Sequence, residues 1–303
     1  MSVGRPRVHV HDAEGAGLAE AALAAGAVLV DLEQAEMVVW EGGRPEELGE
    51  RLHAGVRFVQ LTSAGIESWF EAGVIDDTRL WAAAKGVYEA PVAEYVLAMM
   101  LAVARRLAEV VEDTEWRHRE PRILAGRTIG IVGAGGIGEA VLRLLMPFGV
   151  RTLALTRSGR QVSGATVSLG PGGLERLLGE SDYVVLAAPA TPETDGMISA
   201  ERLALMRDGA CLINVGRGTL VDTDALVAGL RDGRMSAALD VTDPEPLPSD
   251  HPLWTLPNAI VSSHTANTVR LGSAAMALRV NENVARFARG EEPLGLVDPV
   301  ARY

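Results

Sequence analysis

Three polar residues, Arg217, Glu245 and His264, stand just after short apolar runs. Arg217 lies in Asn214-Val-Gly-Arg217-Gly218, Glu245 in Asp240-Val-Thr-Asp-Pro-Glu245-Pro, and His264 in Val261-Ser-Ser-His264-Thr. As a set they suit one chemistry, reduction of a carbonyl beside a carboxylate, or its reverse. A guanidinium's planar fork can hold the carboxylate and polarise the carbonyl. An imidazole can hand a proton to the developing alkoxide. A neighbouring carboxylate can fix the imidazole tautomer and stabilise its charged form. Taken singly, each has a plainer reading: a satisfied structural His, a solvated turn Glu, a surface Arg. The reading rests on the three together.

A second motif supplies what such chemistry lacks, a place for a dinucleotide. Thr128-Ile-Gly-Ile-Val-Gly133-Ala-Gly135-Gly136-Ile137-Gly138 reads as a strand, a glycine turn and a helix start. Gly133 permits the tight turn, Gly135 lets the backbone approach a diphosphate, and Gly138 lets helix and sheet meet closely. The helix N-terminus offers unpaired N–H groups to the phosphates. Where an acidic residue should meet a ribose 2′-OH, about 20 residues on, the chain has Thr156-Arg157-Ser158. An Arg between two hydroxyls suits a 2′-phosphate, so NADP(H) is expected over NAD(H). Stacking of Arg157 on adenine in either cofactor is the alternative.

These residues need elements to carry them. Short apolar runs alternate with Ala/Leu/Glu-rich stretches along the chain, the pattern of parallel sheets with crossover helices. The runs 7–10, 27–32, 37–40, 57–61 and 79–83 predict strands of a first α/β unit. Six more, at 128–132, 152–155, 183–187, 210–214, 237–241 and 259–262, predict a second, doubly wound sheet. Pro91 predicts the first turn of a long helix through Arg106. A final helix, 269–289, is expected to return to the first unit. The fold class is therefore α/β with two doubly wound parallel-sheet domains. The expected borders are 1–96 with 270–303, and 97–269.

Composition limits the partners. The net charge of −12 disfavours nucleic acid and anionic membranes, so any anion site must be built locally. The single cysteine, Cys211, excludes a disulfide framework within one chain and suits a reducing cytoplasm. The six histidines show no metal-ligand spacing, so no metal is expected.

With these motifs on the page, the sequence resembles the D-isomer-specific 2-hydroxyacid dehydrogenase family, close to its glyoxylate/hydroxypyruvate reductase branch. The glycine turn, Pro189-Ala-Thr191-Pro192-Glu-Thr194, Asn214–Asp222, Leu239–Trp254 and Pro91-Val-Ala-Glu94-Tyr95 carry the resemblance. It implies a Rossmann dinucleotide domain and a smaller flavodoxin-like substrate domain. It places Arg217, Glu245 and His264 on the family's catalytic Arg, Glu and His. It places Asp240 on the nicotinamide carboxamide, and Ala188, Pro189, Thr194, Val215 and Gly216 along the cofactor. It makes Ser63, Ala64 and Gly65 a backbone site for the substrate carboxylate, shared with Arg217. The helix from Pro91 becomes a hinge candidate, and Trp116 implies a homodimer. Ser263 stands where many members have Pro, and Glu67 where an Asp is common. An alternative function on the same fold is a redox sensor that binds NAD(P)(H) with little turnover.

Overall fold

The structure, a computed structural model, describes residues 4–11, 15 and 17–299. The chain divides into two compact units, Met1–Tyr88 with Asn267–Tyr303, and Glu89–Ala266.

The first unit holds strands β1 (Arg7–His11), β2 (Val28–Leu29), β3 (Met37–Trp40), β4 (Phe58–Leu61) and β5 (Leu80–Ala82). They form one parallel sheet in the order β2-β1-β3-β4-β5. Every residue of β3 and β4 is buried, as expected of central strands covered on both faces. Three short helices, α1 (Leu18–Ala24), α2 (Pro45–Gly49) and α3 (Glu67–Glu71), belong to this unit. Trp40, Trp69 and Trp81 all go into its core.

The second unit opens with α4 (Glu89–Ala104) and α5 (Leu107–Glu112). Pro91 sits in the first turn of α4, where its missing N–H has no intrahelical partner to lose. The helix starts earlier than expected, at Glu89, and packs as a whole against the helix after the glycine turn. The first junction therefore falls at 88/89, where 96/97 was expected, and the second falls at 266/267, where 269/270 was expected. Then come β6 (Thr128–Val132), α6 (Gly136–Leu145), β7 (Arg151–Leu155), β8 (Val167–Leu169), α7 (Leu174–Glu180) and β9 (Tyr183–Leu186). The unit closes with α8 (Ala200–Leu205), β10 (Cys211–Asn214), α9 (Thr223–Arg231), β11 (Ser236–Leu239) and β12 (Ala259–Val261). The seven strands are parallel, in the order β12-β11-β10-β9-β6-β7-β8.

Sequence reasoning expected six strands here and missed β8. That strand is three residues long, lies at the sheet edge and is only partly buried, so no apolar run marks it. The remaining helix, α10 (Val269–Arg289), lies in the first unit. Thr268 caps its start by accepting the Leu271 N–H, and Gly290 ends it with a left-handed φ of 69°. Met276, Val280 and Val284 recur at fourfold spacing and join Val8, Leu18 and Phe58 in one core cluster.

Candidate active site

In the seven-stranded sheet the chain turns outward in opposite directions from β6, toward β7 on one side and β9 on the other. Ligands of such sheets sit outside the carboxyl ends of the strands at this switch point. The glycine turn leaves β6 there. Gly133 has φ +87°, and a side chain on it would meet the Ala188 backbone N at 2.6 Å. Only glycine fits. A side chain at Gly138 would meet the Gly133 carbonyl oxygen at 2.9 Å, so the helix start lies tight on the turn. The space beside Gly135 is open to at least 4 Å. The first-turn N–H groups of Gly136, Ile137 and Gly138 have no preceding turn of α6 to bond. This is a cradle that fits a diphosphate.

The loops on either side complete it. After β7, Thr156 is buried with its hydroxyl unpartnered, while Arg157 and Ser158 are exposed. Arg160, which sequence reasoning passed over, donates to the Ala134 carbonyl at 3.0 Å and pairs with Glu139. It ties the Arg157 loop to the glycine turn. The spacing Arg157-Ser-Gly-Arg160 was the available signal. After β9, Ala188 is buried and Pro189 exposed. The Thr194 hydroxyl donates to the Pro189 carbonyl at 2.7 Å and shapes that turn. The Thr191 hydroxyl, the Glu193 N–H and, less strongly, the Arg157 charge hold the Glu193 carboxyl below the ordinary carboxylate range.

The next strand ends carry the polar set. After β10, buried Asn214 accepts the Gly216 N–H at 3.0 Å and donates to the Arg217 carbonyl at 2.8 Å. That bridge sets the path of Val215, Gly216 and Arg217. A side chain at Gly216 would meet the Ala188 carbonyl at 2.6 Å, so this loop touches the one before it. A side chain at Gly218 would collide with the Thr242 carbonyl, so the Arg217 loop also lies on the loop after β11. The Arg217 guanidinium is half-buried, and one of its N–H groups donates to the Gly216 carbonyl at 2.7 Å.

Glu245 stands between Pro244 and Pro246, which restrict its backbone. One carboxylate oxygen lies 3.4 Å from the Thr242 N–H, and the other lies 2.7 Å from His264 Nδ1. With Nδ1 engaged, Nε2 is the imidazole nitrogen left to exchange a proton. Both side chains are about half exposed, at 51% for His264 and 42% for Glu245, so a small substrate has access to them.

His264 has a left-handed backbone, φ +54°, uncommon for a residue with a side chain. Asp240 imposes it. Its carbonyl accepts the His264 N–H at 2.8 Å. Its carboxylate accepts the Ser262 hydroxyl at 2.7 Å, the Thr265 N–H at 2.8 Å and the Ala266 N–H at 3.0 Å. Asp240 is 2% exposed. Sequence reasoning set it against a carboxamide; what its geometry does is hold the His264 loop. Ser262 and Thr242 were not anticipated; folding alone brings Ser262 to Asp240, and the Thr242 contact with Glu245 is a local turn contact.

Ser63, Ala64 and Gly65 lie in the other unit, on the turn between β4 and α3. The Ser63 carbonyl accepts the Ala84 N–H at 2.9 Å, and the Tyr88 hydroxyl donates to the Thr62 carbonyl at 2.5 Å. Burial pushes the Tyr88 hydroxyl up to about 12, so it stays a donor. Ser63 and Ala64 are exposed. Among the described residues no His/Cys/Asp/Glu group could hold a metal ion, and no helix is long and apolar enough to cross a membrane.

Residues 97–266 match the family described as "D-isomer specific 2-hydroxyacid dehydrogenase, NAD binding domain". The chain belongs to this family. The enzyme is 38% identical over 226 residues to the glyoxylate reductase of Aeropyrum pernix, across 70% of this chain and 68% of that one. Its fold matches a D-isomer specific 2-hydroxyacid dehydrogenase from Xanthobacter autotrophicus Py2, solved with NADPH and MES. The TM-score is 0.87 at 28% identity, covering 99% of this chain and 100% of that chain. It also matches the NADPH-dependent glyoxylate/hydroxypyruvate reductase of Sinorhizobium meliloti, solved with NADP and sulfate. There the TM-score is 0.85 at 26% identity, covering 99% of this chain and 100% of that chain. The enzyme is an NAD(P)-dependent oxidoreductase of the 2-hydroxyacid dehydrogenase type.

Proposed function

We propose that the enzyme interconverts a small 2-keto acid and its D-2-hydroxy acid, with NADP(H) preferred to NAD(H) and His264 as the acid/base. The observation that carries this reading is the 2.7 Å His264–Glu245 pair, on a backbone pinned by Asp240, in the same row of strand ends as Arg217 and the glycine turn. When bound on the N–H groups of Gly136, Ile137 and Gly138, a dinucleotide would supply the hydride in reduction and accept it in oxidation. Arg217 holds the substrate carboxylate and draws electron density from the carbonyl. In reduction His264 gives its Nε2 proton to the C2 oxygen, and Glu245 stabilises the imidazolium until then. In oxidation neutral His264 takes the hydroxyl proton back. On the first unit, the turn of Ser63, Ala64 and Gly65 offers exposed backbone to a carboxylate.

Arg157 beside Thr156 and Ser158, with no carboxylate among them, supports the NADP preference. Glyoxylate and hydroxypyruvate head the substrate class, because relatives are named for them. The exposed apolar side chains of Val111, Trp116 and Ile123 support a homodimer. The net charge of −12 weighs against nucleic acid and anionic membranes as partners, and a cytoplasmic setting suits the single buried cysteine.

Steady-state reduction of glyoxylate and hydroxypyruvate by NADPH tests the assignment. His264→Gln should lower kcat by about 10²–10⁴-fold while NADPH still binds. A variant that keeps most of the turnover removes His264 from the mechanism.

A further inference from the structure

Glu89 is the first residue of α4, and α4 packs along α6 in the same unit. Its carboxylate lies against Gly136, the first residue of α6. A side chain at Gly136 would collide with Glu89 Oε1 and Cδ, so the carboxyl group occupies the space that glycine leaves open. Glu89 is half-buried, and its carboxylate makes no hydrogen bond or ion pair among the described residues. The other acid at this helix start, Glu139, is paired with Arg160. The carboxylate of Glu89 therefore rests without a cationic partner at the positive end of α6.

We infer that Glu89 is an affinity-setting residue for the dinucleotide: a built-in anion that the cofactor diphosphate must push aside. The inference rests on the dinucleotide reading of the glycine turn. A diphosphate seated on the first-turn N–H groups of α6 brings its negative charges to where the carboxylate lies. Both cannot hold the same helix end. The Glu side chain has three rotatable bonds and can swing away, but its charge stays near. Two like charges about 5 Å apart still repel appreciably at the dielectric of a partly exposed site. The residue thus weakens binding of the charged middle of the cofactor and leaves the adenosine end untouched. Weaker holding favours exchange of spent for fresh cofactor.

Fluorescence or calorimetric titration of the full-length wild type, Glu89→Gln and Glu89→Ala with NADPH, ADP and adenosine tests this. Both variants should bind NADPH and ADP roughly tenfold more tightly at low salt, with the gain shrinking as salt rises. Adenosine should bind all three proteins alike. The glutamine variant keeps the shape and removes only the charge. If it binds ADP no more tightly than wild type, or more weakly, the inference falls while the dinucleotide reading stands. If wild type binds neither NADPH nor ADP, the dinucleotide reading falls, and this inference with it.

Discussion

At the scale of single residues, the proposed site divides between side chains that would meet ligand and groups that position them. His264 and Arg217 are of the first kind; Asn214 holds the Arg217 carbonyl at 2.8 Å, Glu245 holds the His264 ring at 2.7 Å, and Thr242 makes a longer 3.4 Å contact with Glu245. Arg157 belongs to the first kind. Its loop is exposed, and Arg160 anchors that loop to the glycine turn. In the proposed reading a guanidinium there would meet the 2′-phosphate that NADPH has and NADH lacks. Arg157→Ala should therefore raise the KM for NADPH at least tenfold and leave the KM for NADH within about threefold, since a charge-assisted bond contributes about 1.5–3 kcal/mol. Comparable losses for both cofactors would instead place Arg157 over the adenine, the alternative weighed from the sequence.

At the scale of elements, the site is a row of loops leaving adjacent parallel strands. Neighbouring strands run about 4.8 Å apart, so β10, β11 and β12 bring Arg217, Glu245 and His264 side by side although the chain separates them. Asp240 fastens the end of β11 to the loop after β12. Without its carboxylate, the buried Ala266 N–H, the part-buried Thr265 N–H and the Ser262 hydroxyl lose their acceptor. The left-handed His264 backbone, which costs about 1–3 kcal/mol to maintain, loses its support. Asp240→Ala should lower kcat by at least tenfold and depress Tm, through misplacement of an intact imidazole. Asp240→Asn, which keeps one acceptor oxygen, should restore part of both. Turnover unchanged in the alanine variant would show that the loop holds itself.

At the scale of the whole molecule, each unit holds a hydrophobic core of its own. Phe58 is fully buried in the first unit and stands 5.9 Å, centroid to centroid, from Phe287 of α10. Phe58→Ala should cost about 3–5 kcal/mol. Scanning calorimetry should then show an early transition moved down, while the transition that NADPH raises stays in place. A single transition that moves as one would mean the units unfold together.

The sequence by itself determined the period of the elements and the identity of the chemistry. Apolar runs mark strands buried on both faces, and the glycine spacing marks a turn that only glycine can make. Tyr183–Leu186 and Cys211–Asn214 were legible because burial on both faces favours continuous apolar runs, broken here only by Asn214 at the strand end. Val167–Leu169 was not, because an edge strand imposes no such demand. Tertiary structure alone decided which polar groups meet. The Asp240 grip on residues 262–266, the tie from Arg160 to Ala134 and the Glu89 contact with Gly136 join segments up to 47 positions apart. Hydrogen bonds and charges act through space over a few ångströms. The order of strands in the sheet and the packing of helices on it set which distant residues come within that reach.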